Sequence, residues 1–183
     1  MASSDGHPGP RVGGGNPPTF EELFRDCRES AVHLEMRDAY MKSDPAFTDW
    51  QAGTAFDPAE RWADWHRLVT AATSRGVEVH RARIVSTPVS EYIRFEYDVT
   101  DGLNIAAGEE VRWLSRRNAT DIALPGNDFW LFDSRLVLVN HFDGEGENME
   151  VELTDAPDVV QLCDTAFESV WKRATPHAEF QTP

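Results

Sequence analysis

Residues Leu124–Asp143 read LPGNDFWLFDSRLVLVNHFD, and the pattern inside them decides the fold class. Two runs of strand-forming residues, Phe129–Phe132 and Leu136–Phe142, flank Asp133-Ser134-Arg135. Aromatic and β-branched side chains fit a pleated, half-buried surface, and a short polar break between two such runs is a hairpin signal. Asp143-Gly144 follows as a favoured turn dipeptide, and Asn148–Leu153 reads as the returning strand. The segment is therefore expected to be an antiparallel core on which other elements dock.

Upstream, Val77–Thr87 (VEVHRARIVST) is β-branched and alternating and stops before Pro88, as a central strand would. Ser90 stands where a helix N-cap belongs, although Ile93, Phe95, Tyr97 and Val99 also alternate as in a strand. A helix is the preferred reading, because the stretch separates Val77–Thr87 from the next strand, Glu109–Leu114, by about the length of a β-α-β crossover. Asp57 caps a second helix, with Pro58 in its first turn, a stripe of Trp62, Trp65, Leu68, Val69 and Ala72, and Gly76 closing it. Thr19 and Glu22 have capping-box spacing ahead of Phe20, Leu23, Phe24 and Cys27. Ser30–Tyr40 alternates with strand period, and the aromatics of Phe47–Trp50 are expected to plug the core edge from a loop. A last helix, about Ala156–Ala174, follows Asp155 as cap.

The expected architecture is α/β (α+β), a mixed sheet of about five strands (Val77–Thr87, Glu109–Leu114, Phe129–Phe132, Leu136–Phe142 and Asn148–Leu153) flanked by helices. Residues 1–18, rich in Gly, Pro and Ser, have too little to bury to offset the entropy of ordering, and read as a disordered tail. Residues 19–183 read as a single globular domain, with 19–75 mainly helical and 76–183 forming the sheet core plus the C-terminal helix.

Seventeen basic against 32 acidic residues give a formal charge of -15. Such a field repels phosphate backbones and anionic headgroups, so neither direct nucleic-acid binding nor membrane binding is expected. A basic or neutral partner protein is electrostatically easier. Cys27 and Cys163 lie far apart and outside any C-x-x-C spacing, as reduced thiols do. The opening stretch lacks the apolar core of a signal peptide, and the expected location is cytoplasmic. Gly13-Gly14-Gly15 follows no strand and precedes no Lys-Ser/Thr, so no phosphate-cradling loop and no cofactor are expected.

Among residues that carry chemistry, His141, Asp143, Glu145 and Glu147 alternate and have the donor types of a metal site, but Asp143-Gly144-Glu145-Gly146 also reads as a solvated turn, which would break their shared face. His33, His66, His80 and His141 with Glu35, Glu91, Glu96, Glu109 and Asp133 are acid–base candidates whose mutual geometry the sequence leaves open. Arg83, Arg94 and Arg112 each fall inside or beside an apolar element, where an arginine is either paired with a carboxylate such as Glu96, Glu109 or Asp133, or faces an anion in a cleft. Trp130, which reads first as core, and Asp133 complete the candidate ligand- or partner-binding set. No catalytic residue stands out.

The segments HLEMRDAY (His33–Tyr40), the W-x-x-W helix with Gly76-Val77, RARIVSTPVSEYIRFEYDVT (Arg81–Thr100), AAGEEVRWLSR (Ala106–Arg116), LPGNDFWLFDSR (Leu124–Arg135) and AFESVW (Ala166–Trp171) resemble an uncharacterised actinobacterial, Streptomyces-type family encoded beside helix-turn-helix regulators and small partner proteins. That resemblance covers nearly everything after the tail. It implies a non-enzymatic regulatory or partner-binding protein acting with such a regulator or its small companion. The alternative from another class is a small-molecule or phosphoester enzyme, or a ligand-binding domain, with an arginine-lined cleft. At the level of fold, the succession of strand, helix, a strand carrying Gly108, Val111 and Arg112, and a strand ending in Asp133 resembles one phospholipase D-like unit. The His-x-Lys signature of that fold is missing, since neither Lys42 nor Lys172 stands two residues after a histidine. The departure implies a degenerate, ligand- or partner-binding version.

Overall fold

The structure, a computed structural model, describes residues 18–181, so the expected tail lies outside the described residues except for Pro18. The chain is α+β. One mixed sheet runs in the order β6-β5-β4-β1-β2-β3-β7, with β1 Ser30–Glu35, β2 Glu78–Val85, β3 Glu110–Ser115, β4 Asp128–Phe132, β5 Leu136–Phe142, β6 Asn148–Thr154 and β7 Thr175–Pro176. Strands β1, β2 and β3 are parallel. The β4-β5-β6 meander joins antiparallel beside β1, and β7 closes the other edge against β3.

The parallel half needs crossovers. Helices α2 (Pro45–Gln51), α3 (Pro58–Arg61) and α4 (Ala63–Thr73) connect β1 to β2, and α5 (Glu91–Leu103) connects β2 to β3. On the face they cover, α1 (Phe20–Asp26) and α4 pack Phe24 and Val69 against Ala31, Val79, Trp130 and Phe132. On the other face, α6 (Pro157–Arg173) lays Cys163, Ala166, Phe167 and Val170 on Leu34, Ala82, Ile84 and Leu131. Burying such side chains stabilises the fold by roughly 1.5–3 kcal/mol each. Cys27 and Cys163 are buried, unbridged, and belong to these two different cores. Among the described residues no helix is long and apolar enough to cross a membrane.

Most expected elements form for the expected reasons. Thr19 and Glu22 make the capping box of α1, and Ser90 accepts from Ile93 N–H at 3.2 Å to start α5. The helix reading wins there because Tyr92, Ile93, Phe95, Glu96, Val99 and Thr100, at helical spacing, are the buried set.

Other parts differ. The alternating stretch after Ser30 is strand only as far as Glu35, and it occupies the middle of the sheet, between β4 and β2. Phe47 and Trp50 sit on a helix, α2, capped by Asp44 accepting from Ala46 N–H at 2.8 Å with Pro45 in its first turn. The Trp62/Trp65 helix is broken at Trp62, whose φ of -116° and ψ of 48° end α3 and begin α4. The two indoles then part company, Trp65 joining the α1/α4 core and Trp62 an aromatic cluster of Phe47, Tyr92 and Phe95. Ala156, not Asp155, is the N-cap of α6.

Asp133 explains how the hairpin stretch anchors the N-terminal end of the central strand β1. It and Ser134 take left-handed backbone conformations (φ 49° and 48°), which Asp tolerates better than most residues, and Arg135 N–H closes the turn on Phe132 O at 3.0 Å. The Asp133 carboxylate accepts the backbone N–H groups of Arg28 (3.1 Å), Glu29 (2.8 Å) and Ser30 (3.2 Å) and the Cys27 thiol (3.2 Å). It thereby fastens the α1–β1 connection to the β4–β5 turn. Burial would raise its pKa, but these donors outweigh burial and hold the carboxyl below its ordinary value. Its contribution is therefore present above the unfolded pKa and lost as pH falls through the folded one. Asp133→Ala is expected to lower stability by about 2 kcal/mol near pH 7, as loss of an acceptor for several donors does. The gap should narrow in acid, and urea unfolding at a series of pH values measures both effects.

Candidate functional site

Period-two geometry places a layer of charge in the middle of the sheet. His33 and Glu35 on β1 and Arg81 and Arg83 on β2 point to the face covered by α4 and α5, in register as His33↔Arg81 and Glu35↔Arg83. Glu35 holds both arginines, Arg81 through Nη1 and Arg83 through Nε, the latter at 2.5 Å. The second side of Arg81 is taken by Glu109, whose Oε1 lies 2.7 Å from Nε, and Asn104 Nδ2 donates to Glu109 Oε2 at 2.6 Å. Arg83 also donates to Thr100 Oγ1 of α5 at 2.8 Å. His33 Nε2 lies 3.1 Å from Glu35 Oε1. All of these groups are buried.

Aromatic rings seal the layer. The Arg81 guanidinium lies 5.3 Å from the Trp130 ring centroid and 5.9 Å from that of Trp65, and Arg83 lies 4.8 Å from Trp113. His33 stacks on Trp130 at 4.4 Å. Such contacts replace part of the hydration the cations give up. Burial alone would raise the Glu35 pKa, yet Arg81 and Arg83 outweigh it and hold the carboxyl well below the usual range. Burial keeps His33 neutral by pulling its pKa down.

Glu96 is different. It projects from α5 towards the same layer, only 9% exposed, and its Oε2 has no hydrogen-bond partner. Arg83 Nε is 3.8 Å away, near enough for charge but too far for a hydrogen bond. Burial pushes the Glu96 carboxyl up to about 7, with Arg83 opposing and Glu35 adding to the rise. Glu96 lines a cavity of about 260 Å³ between α4 and α5, walled by Trp62, Trp65, Tyr92 and Phe95, with Asp44 and the two arginines also on its lining. Chemically, this is a carboxyl near its titration point at the wall of an aromatic pocket, above a layer of mutually neutralised charges.

The five sequence candidates are scattered. Arg83 is buried in the layer as described and also lines the cavity. Arg94 is on the exposed side of α5. Arg112 is on the opposite sheet face, since its parallel partner is Ala82 rather than Arg83, and it packs 4.1 Å over Trp171 of α6 while donating to Trp171 O at 3.2 Å. The three arginines do not converge. Trp130 covers Arg81, and Asp133 is a turn residue at the N-terminal end of β1, two strands from β3 rather than beside Arg112. His141 pairs with Glu152 at 3.1 Å, and the Asp143 carboxylate accepts Glu145 N–H and Glu147 N–H at 2.9 and 3.0 Å, so the turn reading describes this stretch. Among the described residues no group of three or more His, Cys, Asp or Glu is placed to hold a metal ion.

Sequence reasoning passed over Arg81, Asn104 and the cavity-lining Asp44 and Tyr92. For Arg81 a signal existed: counting by twos along VEVHRARIV sets Arg81 and Arg83 on the face of Val79 and Val85, which is the inward face.

Removing a member of a buried ion network strands its partners. Glu35→Ala is expected to cost about 3–5 kcal/mol, the range for breaking a buried pair, measured by denaturant unfolding. Glu96 predicts the reverse. A carboxyl whose folded pKa is raised to about 7 contributes stability below its unfolded pKa and loses it as pH rises through the folded one. Glu96→Gln is therefore expected to gain on the parent protein as pH rises from 5 to 8, by roughly 2–3 kcal/mol across that span, and thermal melts at the two pH values check it.

Comparison with known proteins adds a family and several distant likenesses. The fold is similar to Nuc, a phospholipase D family member from Salmonella typhimurium, at 12% identity and a TM-score of 0.48, covering 85% of this chain and 86% of that one. It is also similar to NucT from Helicobacter pylori, at 11% identity and a TM-score of 0.46 over 85% and 87% of the two chains. A third likeness is to TrmBL2, an archaeal chromatin protein, at 13% identity and 0.46, where 84% of this chain spans 47% of the other. No curated protein matches the sequence. The match to the model of the family described as Domain of unknown function (DUF6879) runs over residues 18–182, and the chain belongs to that family.

Proposed function

We propose that this chain is a non-enzymatic partner-binding protein of an actinobacterium, acting with a helix-turn-helix transcription regulator or its small companion. The observation that carries the reading is the closure of the central charge layer on itself. Arg81 and Arg83, the cations best placed to hold a substrate anion, are committed to Glu35, Glu109 and Thr100 and covered by Trp65, Trp113 and Trp130. The rest of the molecule carries an acid excess that favours a basic or neutral protein surface over nucleic acid. Exposed carboxylates such as Asp98 on α5 and Glu150 on β6 extend that field outwards.

The rival reading, an enzyme or ligand-binding domain that grips an anion with Arg83, Arg94 and Arg112, needs those residues around one cleft. They lie in the buried layer, on the outside of α5 and on the opposite sheet face.

Titration calorimetry of the full chain against the regulator and the small protein encoded beside it tests the proposal. Binding at about micromolar Kd or tighter, weakening as salt rises because the complementarity is electrostatic, is the expected result. No binding to any neighbouring gene product at micromolar concentration would overturn it.

A further inference from the structure

Two arginines balance two glutamates in the central layer, Arg81 and Arg83 against Glu35 and Glu109, and burial keeps His33 neutral. Once ionised, Glu96 is the unbalanced charge of this group. Its Oε2 is buried without a hydrogen-bond partner, which a native fold rarely tolerates without reason. The carboxyl lines a cavity whose volume, about 260 Å³, falls just below the range of about 300–1,000 Å³ usual for drug-sized ligands and suits a smaller group such as one long side chain. The walls beside it are the rings of Trp62, Trp65, Tyr92 and Phe95 with the aliphatic Val99 and Leu103, and Asp44 adds a second carboxylate to the lining. Aromatic faces, an apolar sleeve and an unsatisfied carboxylate are the complement of an aliphatic stem ending in a cation.

We propose that the cavity between α4 and α5 receives a primary alkylammonium group, carried either by a lysine side chain of a partner or by a free amine, with Glu96 as its counter-ion. An ammonium suits the site better than a guanidinium. One buried oxygen without a partner offers a point contact rather than a bidentate fork, and an ammonium is a compact charge on a flexible stem. Arg83 Nε, 3.8 Å from Glu96 Oε2, already stands beside the carboxylate, which favours one small added donor over a second planar fork. In its lysine form the inference rests on the partner-binding reading above; in its free-amine form it stands alone.

Binding should depend on pH. The charged and titratable groups around Glu96 are Glu35 on β1, Tyr40 beyond it, Arg81 and Arg83 on β2, Asp128 on β4, Tyr92 on α5 itself and Asp44 ahead of α2. Burial pushes the Tyr92 hydroxyl up, so it remains neutral. Burial likewise raises Asp128, to about 6, but the Tyr40 hydroxyl and Met36 N–H are bonded to it and it does not line the cavity. Glu96, at about 7, is then the group whose ionisation sets affinity. Affinity for an ammonium should rise between pH 6 and pH 8 and flatten above.

The test titrates the full chain with n-butylammonium chloride and with Nα-acetyl-lysine methylamide, following tryptophan fluorescence, since Trp62 and Trp65 line the cavity. n-Butanol and the Nε-acetylated lysine derivative serve as uncharged controls. Saturable binding by both cations at millimolar concentration or below, at least about tenfold stronger than for the controls, is expected, since tenfold is the worth of a modest ion pair. Glu96→Gln should weaken cation binding about tenfold or more and remove its rise between pH 6 and pH 8. Should that variant fail to fold, Met41→Lys, at an exposed residue of the cavity lining, supplies a tethered ammonium and should block the probes equally. Failure of both cations to saturate by about 50 mM, where a site worth about 2 kcal/mol would be half filled, overturns the inference. So does unchanged binding in Glu96→Gln or in Met41→Lys. If a regulator partner binds and n-butylammonium competes with it, the ammonium belongs to a partner lysine. If the probes saturate while no partner binds, or while partner binding is undisturbed, the site takes a free amine, and the partner-binding reading is judged by its own titration.

Discussion

The carboxylate of Glu35 holds two arginines at once in the interior of the sheet, and much of the fold follows from keeping it there. Desolvating an ion costs several kcal/mol, and attraction to a partner returns that only when the geometry is close and the remaining donors and acceptors are satisfied. Register is therefore not free. A slip of one residue between β1 and β2 would turn Glu35 to the α6 face and leave Arg81 and Arg83 unpaired. Glu109, just ahead of β3, fixes the third strand through Arg81, and Asn104 at the end of α5 fixes Glu109. Thr100 ties α5 to Arg83. The α5 crossover is thus pinned to the layer by polar contacts, and the β1–β2 crossover by the Trp65 ring over Arg81 and by apolar packing.

The same arrangement accounts for the state of Glu96. Trp65, Trp113 and Trp130 replace water around the arginines, and a region emptied of water strengthens each charge interaction and penalises each unpaired charge. Glu35, between two cations, is driven towards the carboxylate form. Glu96, desolvated, with Arg83 3.8 Å away and no hydrogen bond on Oε2, is driven towards the acid form. Two glutamates on one buried layer are thus driven in opposite directions by their surroundings, and the second lines the cavity.

Much of this was legible in the sequence, element by element. The β4–β5 hairpin, the α5 crossover and the α6 stripe rest on local signals, namely turn dipeptides, caps and periodicity, and these act over a few residues. Pairing of strands distant in sequence is another matter. Ser30–Tyr40 reads as a strand, but the place of its Ser30–Glu35 part between β4 and β2 depends on burial from both sides, which no local pattern states. For the site, Arg83, Glu35, Glu96 and Glu109 were all visible as charges in or beside apolar elements. The grouping of Arg83 with Arg94 and Arg112 counted charges without counting faces. Arg83 and Arg112 differ by one step of strand parity once β2 and β3 are aligned, and that step puts the sheet between them.

The break at Trp62 shows how the cavity depends on a departure from the simplest pattern. An unbroken helix from Pro58 would carry Trp62 and Trp65 on one stripe and press both into the α1 core. The non-helical backbone at Trp62 rotates the earlier turn away, so that Trp62 faces the α2/α5 cluster while Trp65 remains over Arg81. Both indoles line the cavity that Glu96 lines, together with Tyr92 and Phe95 of α5. Asp57 and Pro58 give α3 a strong start of its own, with Asp57 Oδ1 accepting from Ala59 N–H at 2.8 Å, which lets a single turn persist without being continuous with α4. The break between this capped one-turn helix and α4 thus brings Trp62 to an aromatic wall otherwise supplied by α4 and α5, and the buried charge layer beside it sets what such a wall can hold.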